Sequence, residues 1–588
     1  MIYEKNVIMK KPLKVDIRFA SVYPNVYKTA MSSLGYQIIY GMINERKDSW
    51  CERVVYPDAR SIESNSPLKD FDIISFSLQY EQDYFNMLEM LKKAEIPLRR
   101  KDRKIKEDFD KKKSDYPLII AGGPCATSNP LPISDFIDIF IIGEFEPILN
   151  DFLDLYKKLK HPIKQLESFL SLKGIYLPSI DNKVKRIIVE DMDHAYHVTN
   201  PIIAKAEKKE DEDSLPVFGN SILLNVSRGC ARGCRFCMSG YLYRPLRETK
   251  LQKLFDVAEK ARANTGLKKV SLIGAAVSDY SKIDELIKGL LDRGFQISTP
   301  SMRIESITTK SLNFLKKSGA KTITIAPESI YPLRKSINKN IPDEKIFKII
   351  KKATELGLNL KLYFLIGLIN ETEEDIEELG LYIKKIHFLK DKNSIKFSIN
   401  PLIPKPHTPM QWEGYDLKDI KSKIKYLKKE LKGIDVKFDS PKMGLIQYVL
   451  SCKGREIGNI LEKSLDLKIP IKEWEKHSKG YYNNSNSNNN IISNTNINNS
   501  ISNNNININT NISNNTSNIN KVLDKEKESS NNSNIMERVL GLETKLPWEN
   551  IDIGLNKNFL REERKKIFNY EDTEWCQRAS CYKCGSCK

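Results

Sequence analysis

Short apolar runs rich in β-branched residues alternate with amphipathic stretches along most of this chain. Within residues 1–150 such runs stand at 15–21, 72–77, 118–121 and 137–142, separated by stretches of helical periodicity. That alternation predicts parallel strands joined by crossover helices, an open α/β unit. Three of the runs give way to loop-forming or polar residues, at Tyr23-Pro24-Asn25, Gly122-Gly123-Pro124 and Gly143-Glu144. In a parallel sheet, ligands bind beyond the carboxyl ends of the strands, where these loops would gather. Residues 151–215 read as a helix and a connecting segment that closes on KAEKKEDEDS.

The same alternation resumes over residues 216–415. Strand patterns fall at 221–227, 269–273, 322–326, 361–366 and 396–399, with amphipathic helices between them, among them 253–263 and 372–386. The acidic residues that open the second of these helices suit a helix N-terminus. Repeated βα units of this length predict a parallel barrel or partial barrel. Residues 416–480 read as a mostly helical appendage. Residues 481–535 are dominated by Asn, Ser and Ile, too little apolar surface to offset chain ordering, and are predicted to be a disordered insertion. A tail at 536–588 ends in WCQRASCYKCGSCK.

Length and composition narrow the picture. At 588 residues, 40% of them apolar, the chain needs more than one core. No run of apolar residues reaches the ~18 that a membrane span needs. The opening MIYEKNVIMKKPLKVDIRF has no signal-peptide pattern, so a cytoplasmic protein is expected. The formal charge of 95 − 76 = +19 favours a polyanion such as tRNA, or an acidic protein surface, as partner. Lysine is scattered through almost every segment, however, and a lysine-rich background is the simpler account. Of ten cysteines, Cys51, Cys125 and Cys452 stand alone and read as small buried hydrophobes. The remaining seven form two tight clusters, which in a cytosolic chain point to metal or redox chemistry.

The first cluster, NVSRGCARGCRFCMSGYLYRP, spaces Cys230, Cys234 and Cys237 as C-x3-C-x2-C directly after a strand. Three thiolates this close can wrap one [4Fe–4S] cubane and leave its fourth iron open. Gly229 and Gly233 allow the backbone to curl around the sulfurs. A zinc site would want a fourth ligand, and no further Cys or His lies nearby. The arrangement resembles the radical S-adenosylmethionine (SAM) superfamily. That resemblance implies a cluster whose open iron is chelated by SAM and whose electron cleaves SAM to a 5′-deoxyadenosyl radical. It assigns Phe236 to the adenine. Where the family usually carries Gly-Gly-Glu for the SAM amine, this chain has Gly274-Ala275-Ala276, which leaves the amine to backbone carbonyls or Ser278. Ser301 and Arg303 of PSMRIES and Glu328 of TIAPES complete the implied SAM set, with arginine suited to a carboxylate and glutamate to an amine or ribose. GLINET stands where relatives have Gly-Leu-Pro-Gly-Glu-Thr. NPLIPKPHTPMQW resembles the end of the sixth strand; its Lys405 and His407 are either substrate-side residues or members of a packed proline-rich loop.

Residues 13–150 resemble the cobalamin-binding-like, Rossmann-type domain that precedes the barrel in one branch of the superfamily. The stretches YPNVYKTAMSSLGYQ, FDIISFSLQYE, AGGPCATSNPLP and DIFIIGEFEP, with LPWENIDIGLNKNFL near the end, resemble one uncharacterised group within it. The corrinoid-ligating pattern Asp-x-His-x-x-Gly is absent, and residues 1–150 contain no histidine. A corrinoid there would lie over Gly122, Gly123 and Gly143 without a histidine ligand from this domain. The tail spaces Cys576, Cys581, Cys584 and Cys587 as C-x4-C-x2-C-x2-C. Four thiolates satisfy either zinc or a closed auxiliary iron–sulfur cluster, the latter preferred in an enzyme that already handles iron and sulfide.

The expected architecture is therefore α/β, in this order: a Rossmann-like domain (1–150), a connecting segment (151–215), a radical SAM partial (β/α)6 TIM-type barrel (216–415), the helical appendage, the Asn-rich insertion and the Cys-rich tail. The expected function is a cobalamin-dependent radical SAM methyltransferase acting at an unactivated carbon of a macromolecule, protein or RNA. A low-potential donor such as ferredoxin or flavodoxin would supply its electrons. Two alternatives stand beside it. One is a cobalamin-free methylthiolating or rearranging enzyme that uses the tail cluster; the other is a non-catalytic iron–sulfur RNA-binding or sensor protein.

Overall fold

The computed structural model describes residues 2–103, 116–298, 303–389, 394–481, 544–576 and 584–587. Ser301, Cys581 and nearly all of the Asn-rich tract lie outside the described residues. Met1–Lys479 and Pro547–Lys588 form one compact unit; Gly480–Leu546 is a second, of which only the two ends are described. No helix among the described residues is long and apolar enough to cross a membrane.

The N-terminal part is built on strands β1 (Ile17–Tyr23), β2 (Ser49–Val55), β3 (Ile73–Ser77), β4 (Leu118–Gly122), β5 (Ile139–Ile141) and β6 (Ile175–Tyr176). They lie in the order β2-β1-β3-β4-β5-β6, parallel except for the antiparallel β5–β6 edge. The strand order reverses between β1 and β3, which is where a doubly wound sheet opens a crevice at its carboxyl ends. Phe19, Ile73, Ile120 and Ile139 pack with Leu149 and Phe152 of the helix Leu149–Lys158 in one core. Each such side chain contributes roughly 1.5–3 kcal/mol on full burial.

Strand β2 is the element that the hydrophobic pattern hides, because SWCERVV carries a charged pair in its middle. Both charges are buried and answered. Glu52 takes hydrogen bonds from Arg18 (2.6 Å) and Ser61 (2.7 Å), while Arg53 is 2.6 Å from both Glu4 and Glu63. A charge of this kind is tolerated inside only when paired and hydrogen-bonded.

The second half begins with β7 (Ile222–Asn225), β8 (Lys269–Ile273) and β9 (Gln296–Ser298), a parallel three-stranded sheet. It continues with β10 (Thr322–Glu328), β11 (Asn359–Ile366), β12 (Ile395–Pro401) and β13 (Val436–Phe438), four parallel strands. Helices lie between these strands; Leu254, Ala258, Leu286 and Leu290 close the core over β7, β8 and β9. Thr372 and Asp375 form a capping box at the start of the helix Glu373–His387, with three acidic residues in its first turn. Strands β9 and β13 have three residues each, too few to show an alternating pattern, and β13 adds a strand within the segment read as a helical appendage.

The proline-rich loop after β12 fastens the two halves together. Lys405 sits 2.5 Å from the buried carboxylate of Glu81, which also accepts from Ser451 (2.9 Å) and Gln447 (3.0 Å). His407 Nε2 lies 2.9 Å from the Ser128 carbonyl, and its ring packs beside Trp548. Both residues belong to a packed junction.

Burial holds the His407 imidazole down at about 3, although the Ser128 carbonyl favours its protonated form. The unfolded chain binds a proton near pH 6.5 and the folded one does not. The stabilising contribution is thus complete above 6.5 and is lost as pH falls from there towards 3. Urea denaturation at pH 6.5, 5.5 and 4.5 should show a loss of up to ~1.4 kcal/mol per pH unit from this residue. His407→Asn, which tolerates the left-handed backbone there (φ 59°), should flatten that slope relative to the parent chain.

Candidate active site

Strand β7 delivers the chain into a loop that carries all three clustered thiols. Cys230 and Cys234 are buried and Cys237 half-buried. Gly229 opens the loop at φ 82°, and a Cβ there would stand 2.4 Å from the carbonyl oxygens of Tyr243 and Pro245. No other residue fits that position. Arg303 Nη2 lies 3.5 Å from Cys234 Sγ, and the Gly240 N–H donates to the Cys237 carbonyl at 3.0 Å, fixing the turn that follows the last cysteine. Burial pushes the Cys237 thiol up to about 12, with the charges of Cys234 and Cys230 adding to the shift. Burial likewise raises Cys230, against the pull of Arg303. Cys230 and Cys237 are thus desolvated, which favours their thiolates only when positive charge sits close by. Among the described residues no three His, Cys, Asp or Glu side chains gather around a single ion. Three thiols on one glycine-rich loop are the donor set of a three-cysteine cluster.

Beside this loop lies a cavity of ≈ 600 Å³. Its walls come from both halves of the unit: Ser77, Gly122, Gly123 and Gly143 at the carboxyl ends of β3, β4 and β5, and Asn225, Ser227, Gly274 and Ala275 at those of β7 and β8. Leu34, Ile38, Ile39 and Phe76 give it an apolar side, and Gly229 joins it to the cysteine loop. Gly143 adopts φ 108° with Ile187 O only 2.1 Å from where a Cβ would be, so backbone alone forms that corner. Four charges line the seam. Arg228 pairs with Glu146 through two hydrogen bonds of 2.6 and 2.8 Å, and Arg247 with Glu144 through two of 3.0 Å. Burial would raise the Glu144 carboxyl, but Arg247 and Arg228 hold it below the usual range.

The other expected SAM-side residues fall elsewhere around the loop. Ser278 is buried and its hydroxyl accepts from the Arg303 N–H at 3.0 Å. Arg303 reaches both Cys234 and Glu305, and burial, which works against its charge, is more than offset by Cys234, Glu305 and Cys230. Glu328 ends β10 at φ 73° and pairs with Lys339 at 2.7 Å. Phe236 is half-buried in the loop and is not part of the large cavity's lining. Arg303 and Lys339 line a second cavity of ≈ 380 Å³ together with Asp572, Thr573 and Trp575 of the tail. The tail therefore lies against the cysteine loop: the Cys576 N–H donates to the Ala231 carbonyl at 2.8 Å. Cys584 is buried and Cys587 exposed.

Comparison with known proteins matches residues 35–178 to the family of radical SAM proteins, N-terminal, and residues 224–383 to the radical SAM superfamily. An uncharacterised protein of Methanocaldococcus jannaschii is 32% identical over 458 residues, covering 77% of this chain and 92% of the relative. This chain belongs to the radical SAM superfamily. An uncharacterised methyltransferase of Pyrococcus horikoshii is 24% identical over 334 residues, 53% of this chain and 69% of its own. The ribosomal protein uS12 methylthiotransferase of Elusimicrobium minutum is 26% identical over 243 residues, 39% of this chain and 53% of its own. Among solved structures, the radical SAM methyltransferase TsrM from Kitasatospora setae, with cobalamin and a [4Fe–4S] cluster bound, is similar at a TM-score of 0.45 and 12% identity, covering 67% of this chain and 76% of that one.

As a radical SAM enzyme the chain uses a [4Fe–4S] cluster and SAM. The geometry adds residues that the motif alone does not reveal. Glu144, Glu146 and Arg247 escape notice because their partners are distant in sequence, although Glu144 and Glu146 sit in the GEFEP stretch that marks the N-terminal resemblance. Gly35 lines the cavity from the first turn of the helix Leu34–Glu45, with nothing within 4 Å of where its Cβ would be.

Cys234→Ala should lose the reconstituted cluster's iron and abolish formation of 5′-deoxyadenosine from SAM under reducing, oxygen-free conditions. Gly229→Ala should do nearly the same with all three cysteines in place, since a strained backbone costs about 1–3 kcal/mol before any clash is counted. Iron and sulfide analysis, with chromatography of the nucleoside product, checks both.

Proposed function

We propose that this radical SAM enzyme is a cobalamin-dependent methyltransferase acting at an unactivated carbon of a macromolecular substrate, protein or RNA. One observation carries the reading: a single cavity is lined both by the glycine loops of the N-terminal sheet and by the strand ends beside the cysteine loop. The similarity to a methyltransferase of Pyrococcus horikoshii supports methyl transfer as the outcome. The cofactors carry the chemistry when bound: the cluster gives SAM an electron, and the corrinoid carries a methyl group.

The residues present fit a corrinoid in a defined way. Gly122, Gly123 and Gly143 expose backbone where a flat macrocycle needs close approach, and Leu34, Ile38, Ile39 and Phe76 offer it an apolar face. None of the lining residues is His, Cys or Met, so these walls would leave cobalt without a strong side-chain ligand. The interior suits a SAM-sized ligand, and a corrinoid would need the cavity's mouth as well. Arg228 and Arg247 neutralise Glu146 and Glu144, which keeps uncompensated carboxylates away from an electron-rich reaction. The apolar side excludes water from a space in which a carbon radical must survive.

The substrate class rests on the +19 formal charge, which favours an acidic or polyanionic partner. A low-potential one-electron donor protein is the natural reductant. Cys576, Cys581, Cys584 and Cys587 are assigned to a second metal centre, an auxiliary iron–sulfur cluster ahead of zinc. A second reading, a cobalamin-free methylthiolating enzyme, is supported by the likeness to a methylthiotransferase together with the tail's position beside the catalytic loop.

Corrinoid content separates the two. Protein purified without oxygen from a corrinoid-replete host should carry corrinoid, and Gly35→Leu, which fills open space in the cavity, should retain at least ten-fold less while keeping its iron. Parent protein that carries a full cluster and no corrinoid would defeat the methyltransferase reading and leave the methylthiolating one.

A further inference from the structure

Lysine is spread over most of the chain, and on several helices acid answers it. Lys565 and Lys566 of the helix Lys557–Phe568 pair with Glu562 at 2.8 Å and Glu563 at 2.9 Å, and Lys352 of the helix Asp343–Glu355 pairs with Glu355 at 3.2 Å. The helix Leu417–Glu430 is built differently. Its sequence, LKDIKSKIKYLKKE, holds six lysines and two acids, a net charge of 6 − 2 = +4. Both acids are already taken: Asp419 is 2.7 Å from Lys423, and Glu430 pairs with Lys384 of the helix Glu373–His387. Lys423 itself is buried and also meets Glu371 at 2.9 Å. Lys418, Lys421, Lys425, Lys428 and Lys429 are all exposed, and among the described residues no carboxylate pairs with them.

The periodicity of the helix puts most of that charge in one row. Leu417, Ile420, Ile424 and Leu427 are buried against the core, and Lys418, Lys421, Lys425 and Lys428 each follow one of them by a single residue. They therefore share a face turned about 100° from the buried one. Asp419, Lys423 and Glu430 lie on the other side, towards the helix Glu373–His387, so the row points away from the five acids that open that helix. From Lys418 to Lys428 the row is roughly 15 Å long. At its far end Lys428 Nζ lies 5.6 Å from the ring centroid of Phe438, a half-buried residue of β13, which is the edge strand of its sheet. At its near end the helix is level with the carboxyl ends of the strands, because Glu371, the partner of Lys423, follows β11 and accepts from the Gly367 N–H at 2.6 Å.

We propose that this row is a docking site for RNA, with the phosphates of one strand set against Lys418, Lys421, Lys425 and Lys428. A line of single charges suits a strand that carries one charge per repeat, and the aromatic ring at its end offers a face to a base. Carboxylates on a folded acidic protein keep no such fixed repeat. The inference deepens the reading of a macromolecular substrate by choosing RNA over protein, and it rests on that reading only for what the enzyme does to the strand.

The test is fluorescence anisotropy of a labelled, mixed-sequence RNA oligonucleotide with the full-length protein, between about 50 and 200 mM salt. Replacing Lys421, Lys425 and Lys428 together by Gln should weaken binding at least ten-fold at the low-salt end and make the plot of log affinity against log salt shallower by roughly 2. The same change at Lys317, Lys348 and Lys351, exposed on two other helices, should leave affinity and slope near the parent's. Phe438→Ala should weaken binding at least about five-fold with the slope unchanged, as loss of stacking does. Circular dichroism melting of each variant verifies that the fold is kept. Absence of binding by the parent, or equal losses from the two lysine sets, would overturn the inference. Displacement of the RNA by poly-L-glutamate as readily as by unlabelled RNA would overturn it too, in favour of an acidic protein partner. The assay needs neither cluster nor corrinoid, so a chain that binds RNA through this row and carries no corrinoid would defeat the methyltransferase reading alone.

Discussion

Thiolates packed as closely as Cys230, Cys234 and Cys237 repel one another, and a buried loop that carries them must supply donors and positive charge. That requirement organises much of what surrounds them. The loop curls so tightly that the Tyr243 and Pro245 carbonyls stand where a side chain at Gly229 would begin. Cys234 receives Arg303, whose own charge is secured by Glu305. The other arginines of the loop are committed to Asp279, Glu563 and the tail. Positive charge is therefore abundant around the cysteine loop and tethered by these partners.

A second consequence concerns where chemistry is possible. The open corner of a three-cysteine cluster must face a space for SAM, and a cavity lies beside the loop at the carboxyl ends of β7 and β8. That space does not end at the barrel. It runs on to the carboxyl ends of β3, β4 and β5, near the reversal of strand order in the N-terminal sheet. Two parallel sheets, each directing its strand ends at the same volume, bring two ligand-binding crevices into one. This is the physical reason to treat the N-terminal unit as part of the active site. The buried pairs Arg228–Glu146 and Arg247–Glu144 lock that alignment, since breaking a buried pair costs about 3–5 kcal/mol.

Much of this was legible in the sequence wherever the signal is local. The cysteine spacing names the superfamily, the glycines after β4 and β5 fall on a cavity wall, and strand–helix alternation gives the α/β class. Strand β2 was hidden because Glu52 and Arg53 break its apolar run, and only the fold shows that Arg18, Glu4 and Glu63 satisfy them. Lys405 and His407 look chemical in sequence, as basic residues in a proline-rich loop do. Packing shows that they seal the junction between barrel and N-terminal sheet. Ionisable residues whose partners lie far away in sequence are the ones for which residue type alone says least.

The same long-range pairing bears on motion. Arg228 directly precedes the glycine that opens the cysteine loop and is tied to the N-terminal unit through Glu146; Arg232 and Arg235, within the loop, are tied to the tail. A loop anchored at both ends by buried ionic contacts cannot shift by an ångström without exposing or unpairing a charge. Any rearrangement that admits a substrate must then occur where the contacts are weaker. The apolar side of the cavity beside the loop meets that condition, because Leu34, Ile38 and Ile39 contribute apolar surface and no ion pairs there. Side chains that meet a ligand only through apolar contact can be displaced and replaced at little cost, whereas the cluster must keep one geometry through every turnover. The division between a pinned loop and an adaptable apolar side follows from which residues carry charge.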